Sequence, residues 1–216
     1  MRALKLLMVV LIFTAAFYAC KKDHTDDGLS EQIHNIVPDS IINKMKTLGM
    51  PIFGGTKPPD LQHIYLASPF ILKSSNISSD YVGKSFADYY GKLYDQDNDQ
   101  LSIKLDYYNG GERGSGLGGF ISGEDNSFSV FVKVHSTYQG GQADVIMVIS
   151  GKTDEGGIKN FYYANFMLDD YDDPNDVWIG VGQGRVIYDS DGYSPISETM
   201  PAKGSLGLAG STIQVR

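Results

Sequence analysis

The feature that most narrows the fold is a change of hydrophobic period. In "SFSVFVKVH" (127–135), Phe128, Val130, Val132 and Val134 alternate partly with Ser129, Phe131 and Lys133. That two-residue period belongs to a strand with one buried face. Six further runs rich in β-branched and aromatic residues share this character: "LQHIYLA", "FILKSS", "LSIKLDYY", "DVIMVIS", "KNFYYANFML" and "WIGVGQGRVIYD". Turn formers separate them, among them "SSNISSD", "QDND", "NGGERGSG", "GEDN", "YQGG", "KTDEGG", "DDYDDPND" and "DSDG". Eight or more strands with little helix between them predict an all-β fold, an antiparallel barrel or a sandwich, and exclude a parallel α/β sheet. Two stretches, "GGFISGEDNSFSVFVK" and "VIMVISGKTDEGGIKNFYYANF", echo each other and predict two similar hairpins, with Gly123 and Gly151 supplying positive φ at the turns.

Ahead of the strands, "VPDSIINKMKTLGM" predicts one short helix. Asp39 or Ser40 serves as N-cap, Ile41, Ile42, Met45 and Leu48 form the apolar face, and Gly49 stops it. Residues 21–35 carry no apolar period and predict a polar, flexible tether.

The first twenty residues have three zones: a basic start (Arg2, Lys5), the apolar run "LLMVVLIFTAAF", and Ala19 before Cys20, the only cysteine. This is the layout of a secretory signal, and the run is shorter than the roughly 20 residues a membrane-spanning helix needs. With the cysteine included, "FYAC" resembles a bacterial lipoprotein signal with its lipobox. The resemblance implies cleavage after residue 19 and a lipid on Cys20, which would anchor the chain durably. "KKDHTDD" resembles the lysine-plus-acid tags of Bacteroidetes lipoproteins exported to the cell surface. The expected organisation is a signal peptide (1–19), a lipidated cysteine with its tether (20–37) and a single β domain (38–216). The expected location is the outer membrane, lipid-anchored and facing outward.

The formal net charge is −8, and losing Arg2 and Lys5 with the leader makes the remainder more acidic. No cluster of Lys and Arg could follow a phosphate backbone, so nucleic acid is excluded as a partner. Neutral ligands, cations or proteins remain.

Candidate chemistry is sparse. "DQDNDQLSIKLD" sets Asp95, Asp97, Asp99 and Asp106 at calcium-loop spacing, but Gln100 replaces the glycine and "LSIKL" reads as a strand. The denser "DDYDDPND" (Asp169, Asp170, Asp172, Asp173, Asp176) is the candidate site for a cation such as calcium; no other cofactor is expected. Ser115 in "RGSGLGG" lacks a nucleophile elbow, and no spacing ties His63 or His135 to a serine and a carboxylate, so no catalytic residue and no enzyme is expected. Tyr89–Tyr90, Tyr107–Tyr108 and Tyr162–Tyr163 are adjacent pairs on strands, each sending one ring inward and one outward. Tyr90, Tyr108, Tyr163 and Trp178 are the candidate ligand-binding aromatics. "DSI" resembles the short O-glycosylation motif of exported Bacteroidetes proteins, which implies a glycan on Ser40.

"LGMPIFGGTKPPDLQHIYLASP", "FISGEDNSF", "ISGKTDEGGIKNFYYANFML" and "GQGRVIYDSDG" resemble a group of uncharacterised Bacteroidetes outer-membrane lipoproteins, over most of the chain past the leader. That group implies a habitat and no catalytic residues. "PPDLQHIYLASP" also resembles the opening strand of lipocalin-like barrels, with His63 where glycine would stand, which favours a barrel of that kind over a sandwich. The expected function is non-enzymatic binding of a small apolar or glycan-like ligand, in the barrel or on an aromatic face. The alternative is an accessory lipoprotein docking to a protein partner.

Overall fold

The computed structural model describes residues 27–202 and 210–214. The signal segment, Cys20 and residues 21–26 of the tether lie outside the described residues. Two helices come first, α1 (Glu31–Ile36) and α2 (Asp39–Thr47). Eleven strand segments follow: β1 (Ile64–Ala67), β2 (Phe70–Ser75), β3 (Ser85–Phe86), β4 (Tyr89–Asp97), β5 (Ser102–Asn109), β6 (Glu112–Glu124), β7 (Ser127–Tyr138), β8 (Gly141–Asp154), β9 (Gly157–Asp169), β10 (Gly184–Asp189) and β11 (Tyr193–Ser197).

All pairings are antiparallel within one sheet, ordered β11-β1-β4-β5-β6-β7-β8-β9-β10-β2-β3, and β11 also pairs with β9. The sheet therefore returns on itself. Strand β9 meets β10 through Tyr162–Phe166 and β11 through Gly157–Lys159, so β10 and β11 run end to end along one neighbour. Strands β1 and β2 likewise follow one another, β1 against β4 and β11, β2 against β3 and β10. The result is a barrel-like ring of hydrogen bonds.

Alternation along each strand builds two apolar layers. Phe128, Val130, Val132 and Val134 of β7 point inward, as their period predicts, and meet Tyr89, Tyr107, Phe161 and Tyr163. These side chains fill the interior: the Tyr89 ring lies 5.0 Å from that of Tyr163 and 5.4 Å from that of Phe70. Outside, Phe131, Ile146, Val148, Ala164, Phe166 and Val186 form a second apolar surface, which Ile33, Val37, Ile42 and Met45 of the helical region cover. That explains why β8 is buried on both faces.

Three sequence expectations change. The stretch read as tether carries a helix, because Ser30 caps it by accepting from the Ile33 N–H and because Ile33 and Val37 are buried against the barrel. Asp39 is the first residue of α2 rather than its cap, and its carboxylate lies 2.6 Å from His34 Nδ1. Gly123 and Gly151 lack positive φ; Asp125 and Gly156 supply it at the two hairpin turns. Those two glycines are needed for closeness instead. A β-carbon on Gly123 would fall 2.3 Å from the Ser127 carbonyl, and one on Gly151 2.5 Å from Ile158.

The end of the barrel at the β7–β8 turn, here called the rim, is closed by a polar network. Arg185, fully buried, donates from Nε to Asp80 at 2.6 Å and from Nη1 to the carbonyls of Thr212 and Gln214. Burial pushes the Asp80 carboxyl up, but hydrogen bonds from Arg185 and Lys84 outweigh it and hold the pKa at about 2. The carbonyl contacts draw residues 210–214 into the rim, where Ile213 joins the interior core.

Candidate functional site

Register assembles a polar and aromatic surface on the outer wall. Antiparallel pairing places Tyr90 opposite Tyr108, Tyr108 opposite Arg113, and Arg113 opposite Thr137. Two residues along, Lys92 faces Asp106, Asp106 faces Ser115, Ser115 faces His135, and His135 faces Asp144. Since strand side chains alternate, both rows point outward, one beside the other, across β4 to β8. Most of these residues line an open cleft of about 630 Å³, comprising Lys92, Asp106, Arg113, Ser115, His135 and Thr137 among others.

Aromatic and charged groups are interleaved here. The Tyr90 and Tyr108 rings lie 6.3 Å apart at 58°. The Arg113 guanidinium sits 4.7 Å over the Tyr108 ring, an attractive cation–π placement, and also donates to the Pro201 carbonyl at 2.5 Å. Tyr108 is thereby covered and buried, while Tyr90 keeps an accessible side. Lys92 lies 4.9 Å from the Tyr94 ring centre. His135 Nδ1 is 2.8 Å from Asp144, whose other oxygen is 3.1 Å from Lys133. Burial raises the Asp144 carboxyl, and the bonds from His135 and Lys133 reverse that, keeping it ionised below its ordinary range.

Glycine makes this wall thin. Gly114 lies between Tyr107 and Val134, and a β-carbon there would fall 2.3 Å from the Tyr107 ring. Behind it, Glu112 is fully buried and takes hydrogen bonds from the Tyr107 and Ser211 hydroxyls. Burial is the largest influence on it and lifts its pKa to about 8, with the hydroxyls acting in the opposite sense.

The sequence-derived site residues are not gathered in one place. Tyr90 and Tyr108 are neighbours on this outer wall. Tyr163 is an interior residue with no exposure, hydrogen-bonded through its hydroxyl to Thr212, and Trp178 is buried in the same core. Neither of these two presents a ring to a ligand. Ser40 is exposed in the first turn of α2. Among the described residues, no three or more Asp, Glu, His or Cys side chains come together to hold a metal. Two of the aspartates of 169–176 bond to the backbone: Asp169 accepts from the Tyr171 N–H and Asp173 from the Trp178 N–H. Asp97 does the same for Asp99 and Gln100 in the β4–β5 turn.

The residues missed by sequence reasoning are Lys92, Arg113 and Asp144, while Asp106 was noticed only as part of a calcium-loop spacing. Strand parity with Tyr90 and Tyr108 marks their outward direction, but only the pairing register shows that they meet. The same register sets Ser115 opposite His135, on the side away from Asp144. No Ser115–His135 hydrogen bond forms among the described residues.

No protein-family model, curated protein or solved structure matches this chain. The fold and site define a barrel-like antiparallel β protein with a filled interior and a polar, aromatic cleft on its outer wall.

Proposed function

We propose that this chain is a lipid-anchored, outward-facing binding module whose ligand is glycan-like and lies in the cleft across β4–β7. The observation that carries the reading is the pair of outward rows, Tyr90–Tyr108–Arg113–Thr137 and Lys92–Asp106–Ser115–His135. An accessible aromatic ring beside short-range donors and acceptors of both charges matches the alternating apolar faces and hydroxyls of a sugar chain. The interior, filled by its own tyrosines and phenylalanines, gives no support to an apolar ligand held inside. The lipid on Cys20 rests on the signal-like N-terminus alone.

The test is native mass spectrometry of the chain purified from its own host without chelators, followed by glycan-array binding. A retained or captured oligosaccharide whose binding drops in Tyr90→Ser and Lys92→Ala supports the reading. Binding untouched by both substitutions would remove the cleft from it.

A second reading, hydrolysis, is favoured by one observation: the cleft joins His135 to a carboxylate and faces it with Ser115. A serine-directed fluorophosphonate separates the two. Labelling at Ser115 would make the cleft catalytic, and an unlabelled protein is expected.

A further inference from the structure

A second cavity lies at the rim, about 340 Å³ in volume, lined by Tyr138, Gln139, Asn175, Asp176, Val177 and Gln214. It shares no lining residue with the outer cleft, so it stands or falls independently of the function proposed above.

Gln214 is the informative residue. It is 3 % exposed, and its Oε1 accepts from the Ser211 N–H at 3.2 Å. Turning the amide over would set donor against donor at Ser211, so the orientation is fixed by its partner. The Nε2 group is consequently left without a hydrogen-bond acceptor among the described residues. Arg185, itself held by Asp80, donates to the Gln214 carbonyl at 2.8 Å, which fixes the backbone that carries this amide. A buried N–H left unpaired destabilises the fold, a cost that an incoming acceptor would relieve.

The rest of the lining says what kind of acceptor. Asp176 contributes a carboxylate next to the other acids of 169–173, which disfavours an anion. An amide N–H facing the ligand disfavours a bare cation. A neutral hydroxyl satisfies both, accepting from Gln214 and donating to Asp176. Gln139 and Asn175 add amides of both polarities. Tyr138, braced edge-on against Trp178 at 6.3 Å and accepting from Gln139 Nε2 at 3.0 Å, supplies a flat apolar wall. The volume falls at the small end of ligand sites, roughly 300–1,000 Å³.

We infer that the rim cavity binds a neutral, polyhydroxylated group the size of a single sugar ring, with Gln214 and Asp176 as its polar anchors and Tyr138 as its stacking wall.

The experiment is isothermal titration of the full chain in detergent with glucose, galactose, mannose and N-acetylglucosamine, and with spermidine and inorganic sulfate as charged probes. At least one sugar is expected to bind, and neither charged probe. Asp176→Asn, at an exposed position whose left-handed backbone asparagine tolerates, is expected to weaken binding about tenfold with an unchanged melting curve. Gln214→Leu, which removes the donor together with the acceptor of the Ser211 N–H and so also lowers the melting temperature, is expected to weaken binding at least as much. Tyr90→Ser on the outer cleft is expected to leave this binding intact. Absence of binding by all four sugars overturns the inference. So does binding of a charged probe in their place, or sugar affinity unmoved by Asp176→Asn.

Discussion

Two stretches of one barrel wall have opposite fates. The outer side of β8–β10 carries Ile146, Val148, Phe166 and Val186 and lies under the helical region. The outer side of β4 and β5, continuing onto β6 and β7 at Arg113 and His135, carries Tyr90, Lys92 and Asp106. No described helix joins these residues there, although Phe131 farther along β7 does lie under the helical region. Interior packing is continuous behind both. The ring of strands therefore does not dictate what the outside does; the outward half of each strand's alternation decides it. Where that half is apolar, the chain supplies its own cover. Where it is polar and aromatic, the wall stays open, and a cleft forms.

The contrast can be broken deliberately. The largest effect is expected beneath the helices. Phe166→Ala should cost about 3–5 kcal/mol, read by urea denaturation, because a large ring leaves a sealed layer. A loss below 1 kcal/mol would mean that the helices merely rest on the wall.

Next comes the buried acid behind the bare wall. The folded chain keeps a proton on Glu112 up to about pH 8, whereas the unfolded chain releases it near 4.5. The native state thus binds more protons across that window, and this contribution to stability falls as pH rises through it, by about 1.4 kcal/mol per pH unit at most. Glu112→Gln should flatten the decline in a series of denaturation curves from pH 5 to 8. Asp80 acts at the other extreme: its contribution is present above 3.8 and is lost as pH falls toward about 2.

A smaller effect is expected at the thin point of the bare wall. Gly114→Ala pushes on Tyr107 and Val134 and should cost about 1–3 kcal/mol in a thermal melt. The smallest change belongs to the cleft surface. Lys92→Ala should alter stability by no more than about 0.5 kcal/mol while weakening glycan binding. A large stability loss there would turn the bare wall into a structural element and remove the basis of the comparison.

Much of this was legible in the residues. The period of "SFSVFVKVH" gave β7 its inward face, and "FILKSS" coincides with β2. The glycine-rich "NGGERGSG" misled in part, because all four of its glycines were read as a turn when only Gly110 and Gly111 form one and Gly114 and Gly116 lie inside β6. There they make room for Tyr107, Val132 and Val134, a tertiary need that local composition does not express. Helix α1 was hidden by its length: six residues give too short a period, and it persists because Ile33 has a wall to pack on. The site was half legible. Tyrosine pairs signalled an inward and an outward ring at each position. Which outward groups share a row depended on register, a property of two strands at once.

The path of the chain into the barrel carries one more implication. The Gly28 carbonyl accepts from the Gly55 N–H, and the Gly55 carbonyl in turn accepts from the N–H of Gly123, beside the β6–β7 turn, whose own carbonyl accepts from Lys57. Both the rim cavity and the two outward rows lie toward the other end of the twelve-residue strand β7, at its Tyr138 terminus. Under the lipid anchor proposed for Cys20, seven residues before Asp27, the connecting segment reaches at most about 25 Å. The barrel would then stand on the bilayer with its ligand-facing end uppermost, like a cup set on its base, its openings presented to whatever arrives from the medium.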